Sequence, residues 1–76
     1  MKTYAQFYQQ SSVTGELIEG CGDRSIVRLD GRQSQLINEE LAQEECRKRG
    51  YIAWQLIKGY SLLRAKPLTR IVSLFY

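Results

Sequence analysis

The sequence contains no histidine, only two cysteines and a single proline. A structural zinc site is usually built from cysteine and histidine, so a site in this chain would need carboxylates in place of those ligands. A nucleophilic cysteine usually needs an imidazole or a comparable base, and the chain offers no imidazole. The carboxylate pairs at residues 39–40 and 44–45 fall on the exposed side of a predicted helix, not in a cleft that would separate their pKa values. We therefore expect no metal site, no cofactor and no enzymatic activity.

Two cysteines are also too few for the disulfide frameworks of small secreted domains. Cys46 falls where the predicted helix faces the core. Cys21 lies within residues 20–24, where two glycines, an acid and a base surround the thiol. A thiol beside a base can have a lowered pKa, but this composition favours a structural turn. We expect both thiols to be buried or half-buried.

Long hydrophobic runs are absent as well. Polar side chains such as Thr3 and Gln6 interrupt the start of the chain, which therefore lacks the continuous apolar run of a secretion signal. No segment approaches the length needed to cross a bilayer. A cytoplasmic location is the resulting expectation.

Acidic residues are missing from the second part of the chain. Residues 1–46 carry four basic and eight acidic side chains, whereas residues 47–76 carry seven basic side chains and no acid. This asymmetry indicates an anionic partner for the second part. However, residues 47–49 fall in the last turn of the predicted helix, where cations are favoured in any case.

The composition is otherwise that of an ordinary globular protein, with 43% hydrophobic and 25% charged residues in a chain of 76. A chain of this length has room for one hydrophobic core. No internal repeat, low-complexity tract or linker divides it. Residues 1–76 are therefore expected to form one domain.

The first part of the chain predicts three strands separated by turn residues. The first of them is rich in aromatic and β-compatible side chains, with Ala5 and Phe7 on one side and two tyrosines on the other. The three strands are expected over residues 3–13, 16–19 and 25–29.

One helix is predicted between Ser34 and Arg49. Its apolar side chains recur at helical spacing and form one stripe, and the cations of its last turn, followed by Gly50, mark its C-terminus. Either Ser34 or Asn38 could be the N-cap, and Asn38 has the better acidic first turn. The members of the apolar stripe are Ile37, Leu41, Ala42 and Cys46.

Strands are predicted again after the helix. Residues 51–57 alternate in the manner of a strand, with Trp54 on the core face. Residues 62–66 are either a short strand or an irregular loop, and Pro67 argues against a central strand there. Residues 69–75 are apolar on both faces, which is typical of a strand that is covered on both sides or lies near an oligomer contact.

The element order β-β-β-α-β-β predicts an α+β fold, with an antiparallel or mixed sheet of four to five strands and one helix packed on one face. A single helix, about 10 Å across with its side chains, cannot cover both faces of such a sheet. The opposite face is therefore expected to be solvated, paired with a second copy or used for binding. By strand alternation, it carries Tyr4, Gln6, Tyr8, Arg28, Ala53, Gln55 and Ile57.

From this arrangement we predict a non-enzymatic protein-interaction module that binds a protein partner, or a second copy as a homodimer, on the uncovered sheet face. Tyrosine and arginine are favoured at interaction hot spots, although the tyrosines could equally support cross-strand packing. Neither a small-molecule substrate nor a membrane partner is predicted. The residues assigned to the partner surface are Tyr4, Tyr8, Arg28 and Gln55.

Weak nucleic-acid binding through residues 47–70 is the alternative. The basic side chains of this segment are interleaved with Tyr51, Trp54 and Tyr60, the mixture expected where phosphates are neutralised and bases stack on aromatic rings. No nucleic-acid-binding motif accompanies them, and Trp54 falls on the predicted core face. The residues assigned to this alternative are Lys58, Arg64, Lys66 and Arg70.

Three short sequence segments carry a resemblance to a known group of small proteins. They are Cys-Gly-Asp-Arg-Ser at residues 21–25, Leu-Asp-Gly-Arg at 29–32 and Arg-Lys-Arg-Gly-Tyr at 47–51. With its size and its lone helix between strands, the chain resembles the small uncharacterised accessory proteins of tailed bacteriophages and prophages of enteric bacteria. The resemblance spans most of the chain. It implies a bacterial host cytoplasm and a role in modulating a host or phage protein, and it supplies no functional residues.

Overall fold

One helix packs on one face of an antiparallel sheet in this protein, which is described by a computed structural model over residues 1–74. This architecture confirms the predicted α+β class. Its elements are β1 (Lys2–Gln10), β2 (Leu17–Glu19), β3 (Ile26–Leu29), α1 (Gln35–Lys48), β4 (Ala53–Gly59), β5 (Lys66–Pro67) and β6 (Val72–Ser73).

The two longest strands, β1 and β4, form the centre of the sheet. They pair antiparallel from Lys2 opposite Gly59 to Tyr8 opposite Ala53. Strands β2 and β3 follow one another along the outer edge of β1, and β5 and β6 follow one another along the outer edge of β4. Each outer row of the sheet is therefore built from two short strands.

The sheet has six strands among residues 1–74, more than the four to five expected. The difference arises after β4, where the chain forms two separate strands of two residues each. The undecided segment 62–66 is a 3₁₀ turn at Leu62–Arg64 that leads into β5. Of the predicted strand 69–75, only Val72–Ser73 pairs, and the last residue of that prediction, Phe75, lies outside the described residues.

The helix begins after Ser34, whose Oγ accepts a hydrogen bond from the backbone N–H of Ile37 at 3.3 Å. Ser34 is therefore the N-cap. Asn38, the other candidate, lies buried inside the helix, and its Nδ2 donates to the carbonyl oxygen of Asp30 at 3.1 Å. At the other end, Gly50 has a φ of 82°, which confirms the predicted left-handed position after the helix.

Small side chains carry the contact between the helix and the sheet. Asn38, Ala42 and Cys46 are buried at four-residue spacing, whereas Ile37 and Leu41 are 47% and 37% exposed. The prediction that these two lie in the core stripe is therefore wrong. The rings of Phe7 and Trp54 fill the interior from the sheet side, so the helix approaches on its smallest face and its branched residues lie on the flanks. The core comprises Ala5, Phe7, Ala42, Cys46, Trp54 and Leu56.

The C-terminal end of the helix is held to the sheet by an arginine. The guanidinium carbon of Arg49 lies 5.7 Å from the centre of the Phe7 ring, which stacks on Tyr51 with centroids 5.6 Å apart. Arg49 also donates to Glu45 Oε1 at 3.1 Å and to the carbonyl oxygen of Arg24 at 3.1 Å. One side chain thus ties the helix to the strand core and to the 3₁₀ turn Asp23–Ser25.

The two thiols lie in different environments. Cys46 is buried, as predicted, and its Sγ contacts the carbonyl oxygen of Ala53 at 3.4 Å. Burial raises the pKa of the Cys46 thiol to about 11, although the charge of Arg47 opposes this shift. Cys21 is exposed, so the prediction that it is at least half-buried is wrong. Its turn projects away from the core.

We expect a thiol reagent to distinguish the two cysteines. In the native protein at mildly alkaline pH, dithionitrobenzoate should modify Cys21 rapidly and leave Cys46 intact, because Cys21 is exposed to the reagent, whereas Cys46 is buried and its thiol has a raised pKa. Absorbance should report one reactive thiol in native buffer and two in guanidinium chloride. A Cys21→Ser variant, as the control, should show none until it unfolds. Rapid modification of both thiols in the native state would contradict the burial of Cys46.

Candidate functional site

The sheet face opposite the helix is largely covered within the monomer. Tyr4 and Tyr8 are each 8% exposed, and Gln6 and Ala53 are also buried. The expectation that a solitary helix leaves this face open is therefore corrected. Cross-strand neighbours crowd the tyrosines, since Tyr4 lies between strand residues on β3 and β4. Two connecting segments also flank this face, which sequence periodicity does not show.

Between these two segments the face retains a groove of about 390 Å³, which we call the reverse-face groove. One wall is the connection from β2 into β3, and the other is the connection from β4 to β5 that contains the turn Leu62–Arg64. The floor is formed by side chains of β1 and β4. The residues that the groove brings together are Gln6, Tyr8, Gln55 and Ile57 on the floor, Glu19, Gly20, Gly22, Ser25 and Ile26 on one wall, and Leu62, Leu63, Ala65 and Pro67 on the other.

Hydrogen bonds fix the polar side chains of the floor. The Tyr8 hydroxyl donates to Gln55 Oε1 at 2.9 Å, and Gln55 Nε2 donates to the carbonyl oxygen of Thr69 at 3.0 Å. Gln6 Nε2 donates to the carbonyl oxygen of Ser25 at 3.2 Å. Burial, together with the charge of Glu19, raises the pKa of Tyr8, so its hydroxyl remains a donor at neutral pH. The floor is thus preorganised, with its amide donors already used.

The wall that carries Leu62 and Leu63, called here the leucine wall, is positioned by a close approach of two backbone segments. A Cβ added to Gly59 would lie 2.7 Å from Ala65 Cα and 2.8 Å from the carbonyl oxygen of Arg64. Only glycine allows the chain to cross this closely. Beyond the crossing, Leu62 is 40% exposed and Leu63 is 99% exposed at the rim of the groove. Leu63 is the most exposed large hydrophobic side chain among residues 1–74.

The structure brings together only part of the predicted partner surface. Tyr8 and Gln55 meet on the groove floor, and Tyr4 is buried beside it. Arg28 is exposed and lines a separate cavity at the end of the sheet. Leu62 and Leu63 were not assigned to the surface. The sequence signal that could have identified them is a pair of adjacent leucines in a segment without strand periodicity, beginning three residues after Gly59.

The residues of the nucleic-acid alternative are also divided. Lys58 and Lys66 lie directly opposite one another on β4 and β5. Arg64 is in the turn that forms the leucine wall, and Arg70 is exposed in the connection to β6. Lys58 and Arg28 line the same cavity at the end of the sheet. The sequence prediction places Arg28 on the partner surface and Lys58 in the nucleic-acid alternative.

Residues 1–74 contain no group of three or more histidine, cysteine, aspartate or glutamate side chains that could hold a metal ion. Within the same residues, no helix has both the length and the apolar character that crossing a membrane requires.

Comparison with known proteins gives no relative: no family model, no curated protein and no solved structure matches the chain.

We expect Gly59→Ala to destabilise the protein and displace the leucine wall, because the added Cβ meets backbone atoms that cannot rotate away. The free energy of unfolding in urea should fall by about 1–3 kcal/mol, as is typical of overpacking. The control is Ser61→Ala in the same connection, where the exposed serine makes no capping hydrogen bond and no loss is expected. Equal stability of the two variants would contradict the close crossing at Gly59.

Proposed function

We propose that this chain is a non-enzymatic protein-interaction module that binds through the reverse-face groove, and that the partner in the groove is a second copy of the chain. The carrying observation is the side chain of Leu63, which is 99% exposed at the rim of a groove lined by both apolar and polar side chains. An exposed leucine and a site that can take it lie on the same surface. A twofold axis through that surface lets each copy insert Leu63 into the groove of the other.

The charges of the two walls support a twofold contact. Glu19 lies on one wall, and Arg64 follows Leu63 on the opposite wall. When two copies face one another across a twofold axis, the wall that carries Arg64 in each copy meets the wall that carries Glu19 in the other. Opposite charges then lie across the interface on both sides of the axis, which favours this orientation over others.

The biological side of the proposal follows from the resemblance to phage accessory proteins. A dimer of this kind would act in the cytoplasm of a bacterial host, where it would modulate a host or phage protein. This role does not depend on a reactive group, because binding alone can alter the activity of a partner.

Leu63→Ser should weaken the dimer. Burial of a leucine side chain is worth about 2 kcal/mol, and a twofold contact loses two of them, so the dissociation constant measured by sedimentation equilibrium should rise at least about a hundredfold. The control is Val13→Ser, which removes an apolar side chain that is 90% exposed in the turn after β1. Circular dichroism should show both variants folded.

Two outcomes would remove the homodimer proposal. One is a wild-type chain that remains monomeric at the highest soluble concentration. The other is an equal dissociation constant for the Leu63→Ser and Val13→Ser variants, because self-association would then use a different surface.

A charge exchange tests the twofold arrangement. Glu19→Arg and Arg64→Glu should each weaken self-association several-fold, because like charges then face one another twice across the axis. An equimolar mixture of the two variants should recover association, since every facing pair is again of opposite sign. Sedimentation of the mixture against each variant alone measures this recovery. A mixture that associates no better than its components would contradict the proposed orientation.

A further inference from the structure

Three basic residues line one cavity at the end of the sheet, where β1 begins and β3 and β4 end. Arg28, Arg32 and Lys58 line one open cavity of about 800 Å³ together with Met1. They come from three different parts of the chain, two strand ends and the turn after β3. Arg28 lies opposite Tyr4 and Lys58 lies opposite Thr3, so these two side chains leave the end of the sheet on opposite faces. Their presence at one cavity is a product of the fold and not of a local run of basic residues.

The acidic side chain in this cavity is already engaged. Asp30 Oδ1 accepts hydrogen bonds from the backbone N–H of Arg32 at 2.9 Å and from its Nε at 3.3 Å. These hydrogen bonds lower the pKa of Asp30, the backbone bond most. Asp30 thus stays ionised and offsets Arg32, and it leaves the charges of Arg28 and Lys58 uncompensated.

A fourth cation adds to the charge of this end. Lys66 lies directly opposite Lys58 on the neighbouring strand, and like charges in this position repel one another. Within residues 1–74, Arg28, Lys58 and Lys66 have no carboxylate within ion-pairing distance. An anion bound to Lys58 and Lys66 would relieve the repulsion between these two side chains.

An exposed aromatic residue follows Lys58 two positions later in the chain. Tyr60 directly follows the last residue of β4 at the same end of the sheet, and it is 70% exposed. Aromatic rings next to backbone-binding cations are the platform on which single-stranded bases stack, because every base presents a π-face. Duplex bases are stacked on each other and do not offer that face.

We infer that this end of the sheet, formed by Arg28, Arg32, Lys58 and Lys66 and called here the basic end, binds the phosphates of a single-stranded nucleic acid, with a base stacked on Tyr60. The site differs from the one predicted from sequence. It keeps Lys58 and Lys66, adds two arginines from the first half of the chain, and excludes Arg64 and Arg70. It does not depend on the proposed dimer, since none of its four cations lines the reverse-face groove.

The experiment is a fluorescence anisotropy titration of a labelled single-stranded oligonucleotide at several salt concentrations. Wild-type protein should bind at low salt and weaken steeply as salt rises. Replacing Arg28 and Lys58 together by glutamine should lower the affinity about tenfold or more. It should also reduce the slope of log K against log salt by about 1.4, at about 0.7 for each phosphate contact on a single strand. Tyr60→Ser should lower the affinity about fivefold and leave the slope unchanged.

The matched control replaces Arg47 and Lys48 by glutamine. This variant has the same net charge as the double variant of the basic end, but its changes lie in the last turn of α1, at the opposite end of β4. It should keep the wild-type slope. Circular dichroism checks that all variants are folded.

Several results would overturn the inference. They are no binding at low salt, an equal loss in the control variant, or tighter binding of a duplex than of the single strand. Displacement of the oligonucleotide by inorganic pyrophosphate at equal phosphate concentration would also overturn it, because the cavity would then be a site for a small phosphate compound.

Discussion

The pairing of β1 with β4 is the constraint on which the rest of the molecule depends. Every other strand pairs with one of these two, and their register decides which side chains share a face. Phe7 opposite Trp54 directs both rings toward the helix, whereas Gln6 opposite Gln55 directs both amides into the groove. A slip by one residue would exchange the two faces. The core and the groove are therefore products of one register.

The helix depends on that register in a second way. Because the sheet supplies the large rings, the space left for the helix suits small side chains. Asn38 is admitted to this interface because the carbonyl oxygen of Asp30 accepts a hydrogen bond from its amide. A polar residue is tolerated in a buried position when such a partner is present. The same hydrogen bond joins the first turns of the helix to the turn after β3, at the basic end of the sheet.

Much of the fold could be predicted from local sequence because its signals are local. The alternation in β1, the cations in the last turn of the helix and Gly50 each act within a few residues. The predicted stripe failed at Ile37 and Leu41 because hydrophobicity marks which residues can be buried, while the shape of the opposing surface selects which are. Sequence cannot give that shape, since Phe7 and Trp54 are far from the helix along the chain.

The site was predictable to a lesser degree. The prediction placed Tyr8 and Gln55 on one face, and their hydrogen bond shows that they meet there. It did not include the burial of that face within the chain, because connecting segments flank the face and their course depends on contacts such as the backbone crossing at Gly59. It also separated Arg28 from Lys58. Both residues line the cavity at the basic end because β3 and β4 end at nearly the same level beside β1, which is a property of strand lengths and register.

Strand alternation also separates the two lysines of the basic end from the groove. On β4 and β5, the pair Ile57 and Pro67 faces the groove, and the next pair, Lys58 and Lys66, points to the opposite face. Neighbouring residues of the same two strands therefore serve different contacts. If two copies associate through their grooves, Lys58 and Lys66 of both copies point away from the interface, and each dimer carries two basic ends. A strand long enough to reach both would bind with higher effective concentration than one basic end provides. Self-association would then strengthen nucleic-acid binding without any new contact to the nucleic acid.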